Sequence, residues 1–177
     1  NLSQRGIKSK LIRAERYNKF YKSYYINKKL SIPFITAKIA ISKDYLTINK
    51  KDKWITNQLS RNKVHLLRYK HDCILSTSKT INKDDPLLNC RINGLNNNKP
   101  DLFIIDLKLK LKKKLSLNNY LRVRKTFLIT SKNNSNKTSV YKKLGFRIIF
   151  LEKLEDKNDF NLLFKKIYKI GYSRMLV

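Results

Sequence analysis

Pro33-Phe34-Ile35-Thr36-Ala37-Lys38-Ile39-Ala40-Ile41-Ser42 is the stretch on which the fold of this chain turns. Ile35, Ala37, Ile39 and Ile41 alternate with Phe34, Thr36, Lys38, Ala40 and Ser42, the period-two pattern of a strand whose successive side chains take opposite faces. The spacing predicts a strand over 34–42, opened by Pro33, with the isoleucine set in the core. On the other face Lys38 and Ser42 lie about 13 Å apart at ~3.3 Å per residue, a distance that suits the two ends of a bound ligand. Taken by itself, Lys38 reads as a strand lysine that keeps its ammonium in water.

Working outward, Trp54-Ile55-Thr56 precedes a predicted helix with Thr56 as its N-cap. Ser60, Val64 and Leu67 form a packing stripe on that helix, and Arg61, His65 and Arg68 form a second stripe beside it. Arg68, near the helix end, has a fork that can hold a phosphate bidentately or simply complement the helix dipole. Cys73 to Ser76 reads as a short apolar strand running into the hydroxyl-rich turn Ser76-Thr77-Ser78-Lys79-Thr80, a setting in which backbone N–H groups often face a phosphate or ribose. Asp84-Asp85-Pro86 closes the turn, and Arg91 follows in an extended piece. Neither a G-x-G-x-x-G nor a P-loop occurs anywhere in the chain.

Upstream, 10–25 reads as a basic amphipathic helix with Tyr17, Phe20, Tyr21 and Tyr24 gathered on one face, expected to pack on its own domain rather than to stack bases. Residues 27–31 read as a linker. Downstream of Gly94 the chain alternates strand and helix: strands over 101–107, 126–130 and 146–151, helices over 135–144 and 159–170 stopped by Gly145 and Gly171, and a strand beginning at Met175. In the last helix Phe160, Leu163, Phe164 and Ile167 point inward. The lysine-leucine run over 109–117 suggests an exposed edge. This is an α/β pattern with crossover connections.

The 177 residues suffice for one domain with a real core. No stretch approaches the roughly 18 apolar residues of a membrane span, so a soluble, cytoplasmic protein is expected. A net charge of +29 ordinarily points to nucleic acid. Here the excess is lysine scattered alongside Asn and Ile, with four Gly and three Pro, a bias that an AT-rich genome also produces. A basic nucleic-acid-binding protein is therefore the alternative expectation rather than the leading one, beside a degenerate domain that only packs as a dimer. Cys73 and Cys90 have no second cysteine nearby, and His65 and His71 do not share a helix face, so neither a disulfide framework nor a metal site is expected.

The runs Pro33 to Asp44, Trp54-Ile55-Thr56, Leu67-Arg68, His71-Asp72-Cys73-Ile74-Leu75, Thr80-Ile81, Asp84-Asp85-Pro86-Leu87-Leu88 and Cys90-Arg91 resemble, in order and spacing, the reductase domain of the bifunctional riboflavin-biosynthesis deaminase-reductase. The resemblance implies a dihydrofolate-reductase-like fold, a mixed central sheet flanked by helices, that binds NADPH without a glycine fingerprint. It implies hydride transfer to C1′ of the ribose of 5-amino-6-(5-phosphoribosylamino)uracil, giving the ribitylamino product, with the cofactor carrying the hydride. Carried over position by position, Lys38 and Asp44 become the catalytic pair, and Arg68, Leu88 and Arg91 bind substrate. Ala40, Trp54, Thr56, Thr80 and Asp84 become the NADPH side. A homodimer is expected.

The chain departs from the family pattern in four places. Tyr45 stands where a glycine usually follows the aspartate, and the loop before Trp54 is shorter and lacks a substrate-binding serine. Leu107 replaces a small polar cofactor contact. A Glu-Gly-Gly segment that approaches both ligands would begin after Val177. The expectation is therefore a fragment: residues 1–30 as the tail of a deaminase domain and a linker helix, and 31–177 as an incomplete reductase domain of uncertain activity by itself.

Overall fold

Cys73–Thr77 (β2), Asp101–Ile105 (β3) and Thr126–Ser131 (β4) bury side chains on both faces, and such strands need cover above and below. The computed structural model describes residues 3–10, 15–47, 55–95 and 99–177. In it these strands join Phe34–Thr36 (β1), Arg147–Leu151 (β5) and Arg174–Leu176 (β6) in one sheet of order β1-β6-β2-β3-β4-β5. Every pairing among the described residues is parallel, where a mixed sheet was expected. The helices are Glu15–Phe20 (α1), Lys22–Leu30 (α2), Gln58–Tyr69 (α3), Ser78–Asp84 (α4), Ser139–Leu144 (α5) and Lys157–Lys169 (α6).

Right-handed crossovers explain how the two faces are covered. From β2 to β5 the chain advances in one direction, so α4, the 3-10 turn Ser116–Tyr120 and α5 fall on one face. There Ile81, Leu117 and Tyr141 pack on Ile74, Leu102, Ile104 and Leu128. The return from β5 to β6 runs backward, so α6 covers the other face. Its Leu163 and Ile167 pack on Cys73, Phe103, Phe127, Ile129 and Met175. Phe103 and Phe127 stack at 4.4 Å, and Tyr172 closes on Phe103 edge-on at 5.0 Å. Asp156 and Asp159 form a capping box at the start of α6. Gly145 after α5 sits at φ 108°, the left-handed stop that its position predicts.

Several local expectations fail for physical reasons. β1 spans Phe34–Thr36 rather than 34–42, and at its end Val177 N–H donates to Thr36 O at 2.9 Å and Lys38 N–H to Val177 O at 2.8 Å. Beyond that point Ile39 and Ile41 are exposed, not core. The predicted linker over 27–31 is mostly helix, since α2 runs to Leu30 and closes with Ser31 in the left-handed region. Asn27 fixes that end by donating to Ile32 O and Ser173 O. Phe20, Tyr21 and Tyr24 are exposed rather than packed into the domain, and Phe20, Tyr21, Tyr24 and Tyr25 touch one another.

The N-cap of α3 is Asn57, whose side chain accepts from Ser60 N–H, rather than Thr56. The hydroxyl-rich turn is the first turn of α4, capped by Thr77. The run over 109–117 is no edge strand. Leu111 and Leu117 are buried, Leu109 is at φ 51°, and Asn82 pairs with both Lys110 O and Lys112 N–H. Among the described residues no helix is long and apolar enough to cross a membrane.

Candidate active site

The second stripe of α3 and the loop after α4 meet. Arg68 Nη1 donates to Asn89 O at 3.2 Å, and His65 Nδ1 lies 3.2 Å from both the Asn89 carbonyl oxygen and the Arg91 amide nitrogen. Burial, then the charges of Arg68 and Arg91, hold His65 below the ordinary imidazole range. Burial and Arg91 likewise lower Arg68. Arg91 is thus close enough to disfavour charge on Arg68, and neither has a carboxylate partner among the described residues. Such a pair is stabilised by an anion that bridges it.

Leu87, Asn89, Cys90, Arg91, Asn93, Lys99 and Tyr120 line a cleft of about 440 Å³ beside this pair. Lys99 Nζ lies over the Tyr120 ring at 5.9 Å. Leu88 turns the loop at φ 50° and packs on the core beside Leu67. Behind it Arg124, 5% exposed, donates from Nη2 to Leu87 O at 2.7 Å and from Nη1 to Leu88 O at 3.2 Å. Burial pushes its pKa down to about 10.

Of the residues picked from sequence, then, Arg68, Leu88 and Arg91 come together. Thr80 and Asp84 share an exposed face of α4, one helical turn apart. Thr56 lies before α3, its carbonyl accepting from Arg61 Nη1. Lys38 is exposed just beyond β1. The register Ile35↔Met175↔Cys73 puts it level with Ser76, at the C-terminal end of the strands where open α/β sheets place their ligand crevices. Ala40 follows, half-buried. Asp44 sits in a tight loop in which Ser42 and Leu46 are mutually bonded, and a hydrogen bond from Ser42 lowers its pKa. No described contact joins Lys38 or Asp44 to the arginines. Trp54 lies outside the described residues.

His65, Asn89, Lys99, Tyr120 and Arg124 were not singled out for the site from sequence. His65 had a usable signal, its stripe with Arg68. The others had none, because what makes them neighbours is the tertiary path of the loop. Among the described residues no group of three or more His, Cys, Asp or Glu forms a metal-binding cluster.

A family model described as the RibD C-terminal domain matches residues 33–177. The riboflavin biosynthesis protein RibD of Buchnera aphidicola is 40% identical over 86 residues, which is 48% of this chain and 23% of that protein. Its counterpart in Aquifex aeolicus is 29% identical over 147 residues, 82% of this chain and 39% of that protein. The chain therefore spans well under half the length of these curated relatives. Among solved structures, Acinetobacter baumannii RibD superposes with a TM-score of 0.76 at 19% identity, covering 99% of this chain and 48% of that one. The riboflavin biosynthesis reductase Rib7 of Saccharomyces gives 0.64 at 22% identity, covering 92% and 71%. These two likenesses show the fold, and the dihydrofolate-reductase-like expectation holds. Sheet order, cleft and match together place the chain in one family: it belongs to the RibD C-terminal domain family of riboflavin biosynthesis.

Proposed function

We propose that this chain is an NADPH-dependent reductase domain that converts the ribosyl group of 5-amino-6-(5-phosphoribosylamino)uracil to the ribityl group. The observation that carries this is the meeting of Arg68 and Arg91 beside one cleft, with no carboxylate paired to either among the described residues. Two forks so placed favour a dianionic phosphate, which a single surface lysine would hold only as a point charge. Leu88 packs along the sugar chain, while Lys38 supplies positive charge and Asp44 negative charge near the reacting carbon.

The residues on the proposed cofactor side have chemistry that fits NADPH. Thr77, Ser78 and Thr80 offer hydroxyls and Lys79 an ammonium after β2, and Asp84 offers an exposed carboxylate suited to ribose hydroxyls. NADPH, when bound, supplies the hydride, and the chain positions and polarises. Residues 31–177 are the part of the reductase domain that this chain holds, with 1–30 the connection from a deaminase domain. A cytoplasmic homodimer goes with the same reading.

Calorimetric titration of the folded chain with NADPH, and then with the phosphoribosylamino pyrimidine, tests it. Saturable binding of both is expected, with substrate-dependent loss of NADPH absorbance in the polypeptide that carries the complete domain. Arg68→Ala should weaken pyrimidine binding at least tenfold, the loss of one charge-assisted contact, and leave NADPH affinity unchanged. A folded chain that binds neither ligand would overturn the proposal.

A further inference from the structure

Arg124 is a costly residue to bury. Its Nε has no hydrogen-bond partner, and no carboxylate lies within ion-pair distance among the described residues. A buried guanidinium held in this way contributes little to stability, because desolvation offsets what its contacts return. The contacts it does make are specific: the two ends of one fork reach the carbonyls of two consecutive residues, Leu87 and Leu88. Leu88 is in the left-handed region, which a leucine adopts only when its surroundings impose it. Leu87, Asn89, Cys90 and Arg91, the residues around it, line the cleft.

We propose that Arg124 is a positioning residue: by clamping the Leu87 and Leu88 carbonyls it keeps 87–91 in the conformation that sets Arg91 beside Arg68. That the clamp serves phosphate binding rests on the proposed function, whereas the clamp itself does not. The fork is essential, because a lysine keeps the charge but presents no planar pair of donors to two carbonyls at once. Arg124→Lys therefore separates the geometry from the field that a third cation would exert.

The experiment compares the native chain with Arg124→Lys and Arg124→Met by hydrogen exchange and by titration with ribose 5-phosphate. In both variants exchange at the Arg91 amide, which the loop holds against His65 Nδ1, should rise about tenfold, as expected when contacts made by a charged donor are lost. The β4 amides should keep their protection. Affinity for ribose 5-phosphate should fall about tenfold, and by a similar factor in Lys and Met. Unchanged exchange at the Arg91 amide in Arg124→Lys overturns the clamp, and so does equal loss of protection in β4. Exchange at Arg91 that responds while the native chain binds no ribose 5-phosphate retains the clamp and overturns the phosphate reading alone.

Discussion

Tyr45 occupies the left-handed region at φ 61° with its ring 82% exposed. The residue that stands where a glycine was expected thus takes up the conformation that glycine favours. For an L-residue this costs roughly 1–2 kcal/mol, and little side-chain burial offsets it. Tyr45→Gly should raise stability by about 0.5–1 kcal/mol after the greater unfolded-state entropy of glycine is subtracted. A denaturant midpoint that moves down instead would show that the phenol packs. Leu88 has a similar φ and the opposite expectation, since its side chain packs on the core and its carbonyl is held. Asp106, 4% exposed, accepts from Ser78 Oγ, Lys110 N–H and Leu111 N–H. Asparagine would turn an NH2 toward donors, so Asp106→Asn should cost about 2–3 kcal/mol in chemical denaturation.

Between elements, His71 is the tie that brings β1 to α3. Its Nδ1–H donates to Leu67 O at 2.6 Å and its Nε2 shares a hydrogen bond with Thr36 Oγ1 at 2.8 Å. Burial lowers its pKa, so the unfolded chain takes the proton first. The contribution is complete above the unfolded value near 6.5 and is lost as pH falls through it toward the folded value. His71→Gln should therefore flatten the fall in melting temperature between about pH 6.5 and pH 5, leaving a residual slope from His65, which is shifted the same way. An unchanged slope would exclude the tie.

Elements were legible in the sequence where burial on both faces or a capped stripe left one solution. The run Phe127-Leu128-Ile129-Thr130, the inward set of α6 and the glycine stops are of that kind. The alternation over 34–42 was not enough: among the described residues Phe34–Thr36 pairs with β6, while Ile39 and Ile41 are exposed. The leucines over 109–117 alternate too, but a positive φ at Leu109 and the hold of Asp106 and Asn82 turn two of them inward. In the site, Arg68, Leu88 and Arg91 were legible from the order of motifs. Arg124 was not, since in sequence it is one more cation between Arg122 and Lys125.

Over the whole molecule, 41 lysines and arginines face 12 acids, and six of those acids are engaged with the backbone. Asp72, Asp85, Asp101, Asp106, Asp156 and Asp159 all accept from main-chain N–H groups. Lys132–Glu152 and a long Lys153–Asp159 contact are ion pairs among the described residues. Most of the positive charge is therefore uncompensated, and it opposes the compact state through self-repulsion. Sodium chloride shortens the Debye length to about 8 Å at physiological strength and weakens that repulsion, so the melting temperature should rise as salt is added. Ribose 5-phosphate affinity should fall over the same range, because there the screened interaction is an attraction between phosphate and cations. Opposite signs from one salt series are the signature of a cationic scaffold with a phosphate cleft. A melting temperature that falls with salt would mean instead that attractive pairs dominate, and would locate the stabilising charges outside the described contacts.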